Sequence, residues 1–152
     1  MERNPEKVTG GCHCGAMRYE ATGAPLYVPY CHCETCRKTT GAPVVMFIMF
    51  KREQVRFTQG ERRIYRSSPE VERTFCPDCG TPLSYEGDWG EDTTIEFYVS
   101  TLDDPERFVP DRHVFYGDRI SWFDVADQLP RYNGSSTGAQ PNSHGPSGMS
   151  QV

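Results

Sequence analysis

Seven cysteines in 152 residues carry the chemistry of this chain. They form three groups: Cys12-His-Cys14, Cys31-His-Cys33-Glu-Thr-Cys36 and Cys76-Pro-Asp-Cys79-Gly. The odd count rules out a complete intramolecular disulfide set. Clustered cysteines in a reducing compartment serve more often as metal ligands or catalytic thiols. Cys12 and Cys14 stand at i and i+2, which in extended backbone puts both sulfurs on one face. The Cys76–Cys79 group has the form of a zinc knuckle. Pro77 fixes φ in a tight turn, and Gly80 can take a positive φ at the exit. Two sulfurs from each group make a tetrahedral site of four thiolates, the closed, structural type for zinc. That ion would close the 61 residues between Cys14 and Cys76 into one loop. A redox dithiol at Cys76 and Cys79 would need a helix N-terminus to lower a thiol pKa. Gly80, Thr81 and Pro82 follow instead, and no helix is expected there.

Cys31, Cys33 and Cys36 supply three thiolates from six residues. Three protein ligands leave one tetrahedral position for water or substrate, which separates catalytic from structural zinc sites. The seven cysteines thus divide as four plus three. Two alternatives remain open at this point: a histidine (His13, His32 or His113) completes the second site and makes it structural, or the thiolates hold iron and sulfide. In extended backbone His32 points away from a metal held by its two neighbours, and the same holds for His13. His113 stands outside the cysteine groups and is the candidate proton donor. Arg37 and Lys38 lie beside the catalytic cysteines, either to meet carboxylates or as a solvated helix end.

These residues must be positioned by short strands. Val, Ile, Thr, Phe, Tyr and Trp number 45, against 15 for Leu, Ala and Met, with 14 Gly and 12 Pro besides. A helical bundle is excluded and a mainly β fold expected. Strands are predicted over Met17–Glu20, Val44–Phe50, Gln54–Thr58, Arg63–Arg66, Val71–Phe75, Leu83–Tyr85 and Thr94–Val99. Val44–Phe50 is apolar on both faces, as a central strand would be. Short helices are predicted over Cys33–Thr39 and Asp103–Phe108, the latter with Asp103 as N-cap. One domain is expected over residues 1–132. Residues 133–152 carry no charge and almost no apolar bulk, the composition of a flexible tail. The net charge of −5 argues against nucleic-acid binding through bulk positive charge. Arg62, Arg63 and Arg66 read as a solvated strand face. The first ten residues lack the apolar core of a signal peptide, and the longest apolar run is seven residues, so a cytoplasmic protein without a membrane span is expected.

The ordered motif set resembles the glutathione-dependent formaldehyde-activating enzyme family, which includes centromere protein V. The resemblance covers about Gly10 to Tyr132. It rests on Gly-Gly-Cys-His-Cys-Gly-Ala near residues 10–16, the run from Cys31 to Pro43, Tyr65 to Pro69, Phe75 to Leu83, Ser100 to Pro105, and His113 to Pro130. It implies a β-tent fold with two zinc ions. The structural zinc falls on Cys12, Cys14, Cys76 and Cys79, and the catalytic zinc on Cys31, Cys33 and Cys36. It further implies a carbon–sulfur lyase that condenses formaldehyde with glutathione, its co-substrate, to S-hydroxymethylglutathione. The chain departs from the family pattern at Gln128, where Gly is usual in Asp-Gly-Leu-Pro, and at Ser121, where Pro often precedes the tryptophan. Two other functions fit the same residues: a non-enzymatic zinc module for a protein or thiol ligand, and an enzyme of this fold acting on another aldehyde or thioether.

Overall fold

The computed structural model describes residues 6–136. Most of the expected flexible tail, residues 137–152, lies outside the described residues. Its first residues are hydrogen-bonded: the Phe115 amide donates to the Gly134 carbonyl (2.9 Å), and Arg112 donates to the Ser136 hydroxyl (3.2 Å). The protein is mainly β, with ten strands and one α-helix among the described residues. The chain divides into two compact units, one containing the segments up to Tyr27 and Ile48–Phe108, the other Val28–Phe47 and the chain from Val109 onward.

The first unit holds β1 (Lys7–Gly11) and β2 (Arg18–Thr22). Paired with β5 (Val55–Gln59), they form an antiparallel sheet in the order β1-β2-β5. It also holds β6 (Arg63–Ser68), β7 (Val71–Phe75), β8 (Pro82–Trp89) and β9 (Asp92–Tyr98), an antiparallel meander. Alternation sets which residues enter the core. Tyr19 and Ala21 of β2 point inward, as do Ile95 and Phe97 of β9, all fully buried or nearly so. Tyr19 stacks flat on Phe97 with ring centres 3.7 Å apart, and Phe57 meets both rings edge-on. The Tyr19 hydroxyl bonds that of Thr101 at 2.6 Å, and burial pushes the Tyr19 phenol up. Gly10 lies directly against this pair. A Cβ there would collide with the Tyr19 ring and hydroxyl and with the Thr101 carbonyl, so the contact requires glycine.

The second unit holds β3 (Pro29–Cys31), α1 (Glu34–Thr40), the start of β4 (Val45–Lys51) and β10 (Arg112–Val114). β3 pairs antiparallel with β4 and parallel with β10, which sets His113 opposite Tyr30 and Val114 opposite Cys31. β4 is the strand expected to be apolar throughout: Phe47, Ile48 and Phe50 are at most 2 % exposed.

Each predicted strand is present within a few residues of its expected bounds, and β1, β3 and β10 are additional. The helix expected over Asp103–Phe108 is a single 3-10 turn, Pro105–Arg107. The Asp103 carboxylate caps nothing there, because the Arg18 guanidinium and the Thr9 hydroxyl occupy it. Pro110 also disfavours helical backbone at Val109. The arginines expected on a solvated face divide. Arg66 pairs with Glu72 at 2.6 Å, while Arg62 is half-buried against Glu86 at 3.1 Å. No helix among the described residues is long and apolar enough to cross a membrane.

Candidate metal centres

In the first unit the sulfurs of Cys12, Cys14, Cys76 and Cys79 all lie within 4.8 Å of one another. Cys12 and Cys14 converge through a tight turn after β1, not through the strand alternation expected from their spacing. The Gly15 amide donates to the Cys12 carbonyl (3.2 Å), and the Met17 amide donates to the Cys12 sulfur (3.2 Å). The knuckle between β7 and β8 folds as its residues predict. The Gly80 amide closes on the Cys76 carbonyl at 2.9 Å, and Gly80 takes φ +77°. Thr81 joins the two halves: its hydroxyl accepts from the His13 amide (3.1 Å) and lies 3.1 Å from the Cys79 sulfur.

A zinc ion with Zn–S bonds of about 2.3 Å sets its sulfurs about 3.8 Å apart. Cys12–Cys14 measures 3.6 Å and Cys14–Cys76 measures 3.8 Å, so the four sulfurs fit that ion. Without a cation the thiols share protons unevenly. The Thr81 hydroxyl and amide, with the Cys14 amide, bring Cys79 down to about 5. The Ala16 amide pulls Cys14 down, but its sulfur neighbours and burial outweigh it and push Cys14 up to about 12. A divalent cation removes that conflict by binding all four as thiolates.

In the second unit Cys31, Cys33 and Cys36 form the other cluster within the same 4.8 Å limit. Cys31 ends β3. Cys33 is extended (φ −64°, ψ 147°) and caps α1, its sulfur accepting from the Cys36 amide at 3.2 Å. Cys36, one helical turn later, comes within 3.6 Å of Cys31. Cys31 and Cys36 are buried and Cys33 is half-exposed, so access to the cluster is at Cys33. Cys33 and Cys36, then burial, push the Cys31 thiol well above its ordinary value. Three adjacent thiolates therefore call for a cation here as well. Among the described residues no histidine or carboxylate joins the three sulfurs, and His13 belongs to neither cluster. The seven cysteines form no disulfide. Arg37 is spent on the loop: it donates to the His32 carbonyl (3.2 Å) and to the Asp118 carbonyl (3.0 Å). Lys38 is exposed, 3.9 Å from Glu34.

His32 turns away from the sulfurs and into a buried array in the same unit. Its Nε2 lies 2.8 Å from His113 Nδ1, and His113 Nε2 lies 3.0 Å from Asp127 Oδ2. Both rings are fully buried. Tyr30 stacks on His113 and Tyr116 meets both imidazoles edge-on. Burial lowers both histidine pKa values, His32 to about 4. Burial raises Asp127, but His113, the Leu129 amide and Arg131 together hold it below the usual carboxylate range. Arg131 is 1 % exposed and bonds Asp127 (2.9 Å) and the Val125 and Leu129 carbonyls (each 2.9 Å), while Tyr116 donates to Asp124 at 2.7 Å. His113, the expected proton donor, has both ring nitrogens engaged. Sequence reading missed Tyr116, Asp124 and Arg131 as site-supporting residues. The available signal for Asp127 was its place directly before Gln128, as the Asp of the family's Asp-Gly-Leu-Pro pattern.

The structure is similar to the crystal structure of a Rhodobacter sphaeroides protein, with a TM-score of 0.52 and 22 % identity over 62 % of this chain and 87 % of that one. That likeness supports the fold. An uncharacterized lyase of Schizosaccharomyces pombe is 34 % identical over 76 residues, 50 % of this chain and 55 % of that protein. The chain thus matches about half the length of that relative. A Halomonas elongata protein named as a candidate glutathione-dependent formaldehyde-activating enzyme is 25 % identical over 127 residues, 76 % of this chain and 79 % of that protein. The family model described as glutathione-dependent formaldehyde-activating enzyme matches residues 7–118, a span that holds all seven cysteines, His32 and His113. By that match this chain belongs to the glutathione-dependent formaldehyde-activating enzyme family.

Proposed function

We propose that this chain is a zinc-dependent carbon–sulfur lyase that reversibly condenses formaldehyde with glutathione to S-hydroxymethylglutathione. The observation that carries the reading is the Cys31–Cys33–Cys36 cluster, one ligand short of a tetrahedron among the described residues and accessible at Cys33. Family membership and the lyase name of the fission-yeast relative support it. Cys31, Cys33 and Cys36 would hold the catalytic ion, and Cys12, Cys14, Cys76 and Cys79 the structural one. When bound, the catalytic zinc supplies acidification of a thiol at its fourth position.

The reaction needs no redox partner. A sulfur lone pair forms the S–C bond, the carbonyl π pair moves to oxygen, and the proton lost by the thiol ends on that oxygen. The residues of this chain set the geometry. The Cys36 amide draws charge from the Cys33 sulfur, and Arg37 fixes the loop carbonyl at His32. His113 acts through His32, since its own nitrogens are engaged. Reduced thiols throughout suit a cytoplasmic setting. Exchange NMR on glutathione and formaldehyde tests the function. Faster interconversion than the uncatalysed rate, abolished by Cys33→Ser, is expected. No acceleration with both zinc ions bound would overturn the reading.

A further inference from the structure

The His32–His113–Asp127 array has a direction, and that direction fixes the state of its last atom. Asp127 Oδ1 accepts from Arg131 (2.9 Å) and from the Leu129 amide (3.0 Å), so this carboxyl serves as an acceptor. Its Oδ2, 3.0 Å from His113, must then receive the Nε2–H of that ring. A neutral imidazole protonated at Nε2 carries a lone pair at Nδ1. His113 Nδ1 therefore accepts across the 2.8 Å contact, and His32 donates from its Nε2–H. The His32 ring is fully buried and bonded only to a neutral ring, a setting that disfavours a second proton and its charge. Its one proton is therefore used at Nε2, and Nδ1 is left as a lone pair. That atom is fully buried and has no hydrogen-bond partner among the described residues. Buried acceptors without donors are costly, so the site calls for a donor from outside the described residues. His32 stands between the two ligands Cys31 and Cys33.

We propose that Asp127 is a positioning residue that, acting through His113, holds His32 as its Nε2–H tautomer and so makes the buried Nδ1 a fixed acceptor for an O–H donor. The donor is a small hydroxyl, either a resident water or the hydroxymethyl group of the thiol–aldehyde adduct. The second source rests on the proposed function; the tautomer assignment does not. Asp127→Asn tests the direction. Its amide would donate to His113 Nε2, force the proton onto His113 Nδ1, and pass the reversal to His32, leaving a proton on Nδ1.

The experiment is long-range proton–nitrogen NMR on zinc-loaded protein labelled with ¹⁵N-histidine. In the wild type, Nδ1 of His32 and Nδ1 of His113 should both resonate as unprotonated, pyridine-type nitrogens. In Asp127→Asn both should become protonated, with two zinc ions retained and kcat down about 10-fold at little change in KM. A protonated His32 Nδ1 in the wild type overturns the proposal, and that measurement stands even if the variant fails to fold. An unchanged tautomer in a folded Asp127→Asn overturns it too. Adding glutathione and formaldehyde separates the sources. A shift confined to His32 Nδ1 assigns the donor to the adduct, and a constant Nδ1 assigns it to water. If exchange NMR finds no catalysis while the tautomers are as stated, the function fails and the positioning role stands.

Discussion

At the residue scale the two cysteine clusters differ in how their sulfurs are held, and the difference predicts how each tolerates damage. Cys33 is half-exposed at the cap of α1, and its sulfur makes a local bond to the Cys36 amide. A hydroxyl can replace that capping acceptor, so Cys33→Ser should lose one of two zinc ions with far-ultraviolet circular dichroism unchanged. Unfolding of Cys33→Ser would show that the three-cysteine cluster is structural as well. Thr81 ties the knuckle to the Cys12–Cys14 turn through His13 N and Cys79 Sγ. Groups that orient metal ligands typically cost 10–100-fold in affinity when removed. Thr81→Val, which keeps the shape and loses the hydroxyl, should therefore weaken the four-cysteine site about 10-fold in competition with a chromophoric chelator while leaving the other site unchanged. The two cysteine clusters were legible in part from local spacing, which brings Cys31, Cys33 and Cys36 together. The meeting of Cys12 and Cys14 with Cys76 and Cys79 spans 61 residues and followed from matching two pairs to one tetrahedral site. Asp127 was not legible, because its link to His113 depends on how residues 119–132 return along β10, where the Tyr132 amide bonds the His113 carbonyl at 2.9 Å.

At the element scale, strands showed most clearly in the sequence where five or more residues alternate or run apolar, as in β4 and β9. β3 and β10 are three residues each, too short for any period to register. Yet these two carry Cys31 and His113, and their parallel pairing places the array. β1 was hidden because two of its five residues, Gly10 and Gly11, are of a type depleted in strands. Gly10 serves as a flat seat for Tyr19 and the Thr101 carbonyl. Adding a methyl group to a packed core costs typically 1–3 kcal/mol, so Gly10→Ala should destabilise the zinc-loaded protein by about 2 kcal/mol in denaturant unfolding. Tyr19→Phe removes the hydroxyl on which that methyl falls, at the loss of the Thr101 bond. The double variant should therefore be less destabilised than the sum of the two singles. Strict additivity would show that the Cβ is accommodated elsewhere.

At the scale of the whole molecule, metal and fold are coupled to different degrees in the two units. The four-cysteine site joins Cys14 to Cys76 across 61 residues, between the antiparallel β1-β2-β5 sheet and the antiparallel β6–β9 meander of its unit. A cross-link of that span removes about 4 kcal/mol of chain entropy from the unfolded state on the loop-closure model, a large share of the 5–15 kcal/mol that holds a domain together. The three-cysteine site spans six residues, so on the same model its ion contributes only about half as much. It also has one ligand fewer, and its access at Cys33 admits a competing chelator. Metal removal should therefore proceed in two steps. Moderate chelator takes one equivalent and abolishes the proposed lyase activity, while the β-sheet dichroism stays nearly constant and the melting temperature falls by only a few degrees. Stronger chelator takes the second equivalent, and the strand signal and the cooperative transition are lost with it. Zinc titrated back should restore structure with the first equivalent and activity only with the second. A single step, in which both ions leave together with the fold, would show that the two clusters share one stability and would remove the basis for calling one structural and the other catalytic.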